Sequence, residues 1–159
     1  MSLLKEKGIT LKGRFKVMVF DGEGDLVNVL EKDNLIVDMG LEALSRIIGE
    51  PTPSIVAANW IAIGTGTAAA DVADTELGGA VSANSGLFEQ LQAGAGSWQC
   101  VYTWGAGTPN VNVNLFESGV FFGSTDRGEA GTMLCRQTFG VVTKNTTDTL
   151  TVTWGFTVA

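Results

Sequence analysis

An antiparallel β-sandwich, jelly-roll-like or barrel-like, with one short α-helix near residues 39–48, is the fold this sequence predicts. Three observations lead there. Apolar and polar residues alternate in run after run, most completely where Leu150, Val152, Trp154, Phe156 and Val158 alternate with Thr149, Thr151, Thr153, Gly155 and Thr157. A period of two is that of a strand with one face in a core. Gly, Asn and Asp turn signals interrupt these runs, and 21 glycines exceed the usual share. Helical spacing is confident in one place only, at Leu41, Leu44, Ile47 and Ile48, with Asp38 placed to cap the helix and Gly49 to stop it. With 159 residues, 45% of them hydrophobic, the chain can build one core of ordinary size. The expected division is an N-terminal arm, 1–12, and a single sandwich domain, 13–159.

In the arm, Leu3, Leu4, Ile9 and Leu11 lie among Lys5, Glu6, Lys7 and Lys12, a stretch too short and too mixed to fold alone. Four of the ten basic residues, Lys5, Lys7, Lys12 and Arg14, fall within the first fourteen positions, whereas residues 47–126 contain none. An arm of that sign suits docking on the acidic middle of a neighbouring copy, with Leu3, Leu4, Lys5, Lys7, Ile9 and Lys12 as its contact residues. The alternative is that it pairs as an edge strand in its own domain.

Residues 14–20 and 26–30 then read as a hairpin around the Gly-rich turn 21–25. That turn, with Asp21, Glu23 and Asp25, lacks the twelve-position ligand pattern of an EF-hand, which leaves a plain turn ahead of a weak calcium site. After the helix, a strand over residues 60–63 enters Gly64, Thr65, Gly66, Thr67, Ala68, Ala69, which satisfies the G-x-G-x-x-A form of a dinucleotide fingerprint. The following residues, 71–79, are short, acidic and glycine-terminated where that fold needs a long helix, so a turn and no cofactor is expected. From Val81 onward the pattern is β again, broken at Gly86 and at residues 94–96.

Trp98, Cys100, Tyr102 and Trp104 share one strand face. Core packing is the first reading; a platform stacking on sugar rings, formed by Trp60, Trp98, Tyr102 and Trp104, is the alternative. Strand-like segments follow at 111–115 and 119–122, then a charged loop, 124–130. Residues 132–142 and 148–159, joined by the polar span 143–147, read as a closing hairpin.

Composition excludes several function classes. Histidine is absent, which removes the usual general base, the Ser-His-Asp and Cys-His arrangements and the commonest metal ligand. A net charge of -7 argues against a nucleic-acid backbone or an anionic membrane surface as partner. No apolar run approaches a membrane span, and the first seven residues lack the apolar core of a signal peptide, so synthesis in a cytosol is expected. Cys100 and Cys135 lack metal-ligand spacing; two buried free thiols are expected, with a bridge between neighbouring strands as the alternative. Catalytic, cofactor-binding and metal-binding residues are therefore all expected to be absent. Charged residues make up 17% of the chain, below the usual quarter, which suits a surface covered by neighbours.

Three blocks, an opening, a middle and a close in two parts, carry a resemblance. FDGEGDLVNVLEKDNLIVDMGLEAL, WIAIGTGTAAADVADTEL, ESGVFFG and GTMLCRQTFGVVTKNTTDTLTVTW, in this order, resemble a family of small tailed-bacteriophage virion proteins. One departure is Gly119, Val120, Phe121 where the family usually reads GLF. The resemblance implies a non-enzymatic structural subunit, on the tail, fibres or baseplate or decorating the capsid, assembled in the host cytoplasm and resident in the virion. It implies copies of itself and other virion proteins as partners, and no small-molecule substrate. The sugar-stacking alternative would make it the receptor-binding module of a tail fibre.

Overall fold

The computed structural model describes residues 10–52, 57–92, 96–123 and 132–158. These form two five-stranded antiparallel sheets and one helix, an all-β sandwich as expected. The elements in chain order are β1 (Leu11–Phe20), β2 (Leu26–Asp33), β3 (Leu35–Ile36), α1 (Asp38–Gly49), β4 (Ala58–Gly64), β5 (Ala80–Ser85), β6 (Leu87–Gln92), β7 (Ser97–Trp104), β8 (Val113–Phe122), β9 (Thr132–Lys144) and β10 (Thr149–Val158). The first sheet has the order β2-β1-β10-β7-β6 and the second β3-β9-β8-β4-β5.

Between the sheets lies the main core. β1 contributes Phe15, Val17 and Val19, and β10 contributes Leu150, Val152, Trp154 and Phe156, all buried. These two strands run side by side in unbroken register from Leu11 opposite Val158 to Phe20 opposite Thr149. From the second sheet come Ile61, Ile63, Leu115, Val120, Phe122 and Val142. Two tryptophans bond across the gap: Trp154 Nε1 donates to Ser118 Oγ at 3.2 Å, and Trp104 Nε1 donates to Ser82 Oγ at 2.9 Å. A buried indole N–H needs such an acceptor, and finding it on the opposite sheet fixes how the layers sit.

The second sheet is covered on its other face too. Alternate residues of β4, Trp60 and Ala62, join Val37, Leu77, Phe121 and Met133 in a second apolar cluster beneath the loop 65–79 and the start of α1. Helix α1 packs on β9, and a Cβ on Gly40 would lie 2.4 Å from the Leu134 carbonyl oxygen, so only glycine lets the two backbones approach this closely. The outer face of the first sheet has no such cover among the described residues.

Several expectations need correction. Strands β9 and β10 are not a hairpin: β9 pairs with β8 and β3, β10 with β1 and β7, and the turn between them crosses from one sheet to the other. Both strands have a face to bury, and facing each other across the core buries both. The crossing is held locally, with Asp148 accepting from Asn145 N and Nδ2 at 2.9 Å each, while Lys144 is buried and its ammonium donates to the Asn145 carbonyl at 3.4 Å. Burial pulls the Lys144 pKa down, only partly offset by the Asp148 charge. Asp38 does not cap α1; Val37 occupies that position without a side-chain bond, and Asp38 lies in the first turn, where its charge suits the helix dipole. The segments 111–115 and 119–122 belong to one strand, β8, running from Val113 and kept in the sheet by register shifts at Leu115/Glu117 and Val120/Phe121. β1 begins at Leu11, so Leu11 and Lys12 pair with β10 instead of preceding the domain.

Candidate functional site

Two regions concentrate polar chemistry or exposed apolar surface. The first lies under the Gly-rich loop. Glu117 on β8 is fully buried, and its carboxylate accepts from the backbone N–H groups of Gly66 at 2.8 Å, Gly79 at 2.8 Å and Gly78 at 3.0 Å. Arg136 on β9, 3% exposed, completes the shell with Nε and Nη2 each 2.9 Å from Glu117 Oε2. The guanidinium turns its other edge to the loop, donating Nη1 to Asp74 Oδ2 at 2.6 Å and Nη2 to the Ala68 carbonyl at 3.0 Å. Burial alone would lower the Arg136 pKa, but hydrogen bonds to Asp74 and Glu117 and their charges outweigh it and hold it raised.

Gly66 of the fingerprint-like turn, with Gly78 and Gly79 from the far end of the loop, thus cradles an anion, and the anion is the chain's own carboxylate. A Cβ on Gly64 or Gly66 would stand 2.5 or 2.4 Å from Glu117 Oε1, which is why the loop reads G-x-G. No helix follows Gly66 in residues 65–79. The N–H groups of Gly66, Gly78 and Gly79 are used by Glu117, so this region is a buried clamp joining loop to sheet.

The second region is the bare outer face of the first sheet. Every second residue of β1 points there, and Lys12, Arg14 and Lys16 stand in a row beside β2, where Lys16 meets Glu31 at 3.3 Å and Arg14 meets Asp33 at 3.9 Å. These residues form one wall of a surface groove of about 460 Å³; Thr153, Gly155 and Thr157 of β10 are its floor, and Gln99 and Leu91 its far wall. Gly155 makes the groove by lacking a side chain between its flanking threonines. Exposed apolar residues mark both edges of the sheet: Leu26, Val27 and Val29 on β2, and Leu87, Phe88 and Leu91 on β6.

The residues singled out from sequence are scattered. Leu3, Leu4, Lys5, Lys7 and Ile9 lie outside the described residues, as does the loop 124–130; Lys12 lines the groove. Trp104 is wholly buried, whereas Trp98 and Tyr102 are half-buried against the main core and Trp60 against the second cluster. Trp98 stacks on Phe156 with centroids 5.2 Å apart, and Tyr102 meets Trp104 edge-on at 4.7 Å. Trp98, Tyr102 and Trp104 thus pack on the main core and Trp60 on the second cluster, with Trp60, Trp98 and Tyr102 partly exposed. Asp21, Glu23 and Asp25 bring carboxylate oxygens within 4.8 Å of one another, and Asp21 Oδ1 accepts from the Glu23 and Asp25 N–H groups at 3.0 and 2.9 Å, the geometry of an Asx-stabilised turn. Cys100 and Cys135 are free and buried, and burial pushes the Cys100 thiol up to about 12 and the Cys135 thiol up as well.

Sequence reading missed the clamp. Its signal was present: Glu117 and Arg136 are lone charges inside apolar strand runs, where a charge survives only if paired. Comparisons with protein-family models, curated proteins and solved structures found no match.

Proposed function

We propose that this chain is a non-enzymatic structural subunit of a bacteriophage virion, tail-associated or capsid-decorating, that works by packing on copies of itself and on neighbouring virion proteins. The virion assignment rests on the three resembling sequence blocks. The observation supporting the packing role is the exposed apolar surface of the first sheet. Its outer face has no covering layer among the described residues, and Leu26, Val27 and Val29 on β2 and Leu87, Phe88 and Leu91 on β6 are exposed along its two edge strands, whereas α1 and the loop 65–79 cover part of the second sheet. Edge strands on a freely soluble monomer are usually blunted by lysine, proline or cover. Here β6, LFEQLQ, has a single charge and neither lysine nor proline, and Leu87 is 78% exposed. A sugar platform, by contrast, needs a free ring face beside polar groups, and Trp104 offers none.

Light scattering on the purified full chain across a concentration series tests the packing role. Discrete oligomers that grow with concentration are expected; a monomer throughout overturns it. Immunogold labelling of purified phage particles with an antibody to the chain tests the virion assignment, and unlabelled particles overturn that part.

A further inference from the structure

The β1–β2 hairpin carries opposite charge at its two ends. Its turn has Asp21, Glu23 and Asp25 with no base, and among the described residues none of the three forms a salt bridge. Its other end holds the groove, whose lining has three bases, Lys12, Arg14 and Lys16, against two acids, Glu31 and Asp33. Lys16 pairs with Glu31, Lys12 has no ion-pair partner among the described residues, and Arg14 has only the loose contact to Asp33, with side chains 71% and 91% exposed. Such an exposed pair contributes little and is readily exchanged for a better partner. The turn cannot fold back onto its own groove: six residues of extended strand lie between Arg14 and Asp21, seven steps or roughly 23 Å at the rise of a β-strand. An acidic turn on another molecule can reach these exposed cations, whereas the chain's own turn cannot.

We propose that the groove over Gly155 receives the acidic turn 21–25 of a second copy, giving a head-to-tail contact. This rests on the packing role proposed above and names the surfaces that carry it. The turn is narrow, with Gly22 and Gly24 between its acids, and Gly24 has open space around it. Its carboxylates meet Lys12 and Arg14 on one wall, and Leu91, half exposed on the other wall, gains apolar cover. Because the two surfaces differ, the contact is heterologous and repeats from copy to copy, closing into a ring or extending as a filament according to the rotation between neighbours. Charge fixes its direction, since two grooves or two turns repel one another.

Charge-swapped variants of the full chain, followed by sedimentation velocity, test this. All four positions are exposed, so Lys12→Glu with Arg14→Glu, and separately Glu23→Lys with Asp25→Lys, leave the core intact; unchanged circular dichroism and melting verify it. Each double variant alone is expected to associate at least about tenfold more weakly than the parent, and an equimolar mixture of the two to recover association. Raising salt from about 50 to 500 mM weakens the parent in the same sense. Parent and variants associating equally, or a mixture that fails to recover, overturns this contact while leaving self-association standing. A parent that stays monomeric at low salt overturns both.

Discussion

Glu117 shows what one side chain can organise. Its carboxylate collects three backbone N–H groups of the loop and the Arg136 guanidinium, so loop 65–79, β8 and β9 meet at one buried charge. Removing one partner of a buried, fully bonded pair strands the other in a medium that does not solvate it. Glu117→Ala is therefore expected to cost about 3 to 5 kcal/mol in a urea titration. Asp74→Asn, at a side chain 22% exposed that keeps its shape and one acceptor oxygen, should cost only about 1 kcal/mol. The two thiols act through pH. Both have folded pKa values raised by burial above the ordinary 9.0, so above pH 9 the unfolded chain loses protons that the folded chain keeps. Stability contributed by Cys100 is full below pH 9 and declines as pH rises toward about 12. Urea midpoints measured from pH 8 to about 11 should fall, and the fall should be shallower in Cys100→Ala with Cys135→Ala.

For the elements, glycine placement sets opposite signs for one substitution. Alanine is the better helix former by about 1 kcal/mol, yet at Gly40 its Cβ would meet the Leu134 backbone at 2.4 Å and push α1 off β9. Gly40→Ala should lower the melting temperature, and Gly49→Ala, with open space at the end of the same helix, should raise it by a degree or more, on the order of 0.5 kcal/mol. How far the elements could be read in advance follows from what periodicity encodes. Alternation tells which side of a strand is buried, and it located β1, β4, β7 and β10 and the core residues Val152 and Trp154. It does not tell which strand lies alongside, so the polar span before Asp148 reads as a hairpin loop whether the chain returns beside itself or crosses the core. The β8 bulges hid a continuous strand for a related reason: each shifts the alternation by one residue and makes one strand look like two. The groove was legible only as a row of bases, because its floor depends on β10 lying beside β1, a pairing of the first and last strands.

Across the whole molecule, tryptophans tie the two layers. Trp154 is unexposed, packs on Phe15 at a centroid distance of 4.9 Å and reaches over the core to Ser118, whose hydroxyl donates in turn to the Ala62 carbonyl at 2.7 Å. Trp154→Ala would remove that filling and leave a cavity both sheets share, a loss of about 3 to 5 kcal/mol. Trp154→Phe should recover most of the volume but leave Ser118 without its donor, and chemical denaturation should rank it between the two. Asp74 lies in the middle block, WIAIGTGTAAADVADTEL, and Glu117 and Arg136 in the closing one, ESGVFFG with GTMLCRQTFGVVTKNTTDTLTVTW, so these stretches hold the loop-to-sheet clamp together.

The central position of β10 has a consequence for synthesis. This strand is the middle member of its sheet, and β1–β2 on one side and β7–β6 on the other meet only through it. A ribosome therefore releases two hairpins with nothing between them until residues 149–158 emerge, and each waits with an open inner edge. Folding has to begin from contacts far apart in the chain, which makes it slow and leaves the waiting hairpins prone to wrong pairing. A chain stopped after Asp148 should accumulate as aggregate, and supplying residues 149–158 as a separate peptide during refolding should return soluble material. The exposed edges of the first sheet thus coexist with a checkpoint: no copy completes that sheet before β10 is made.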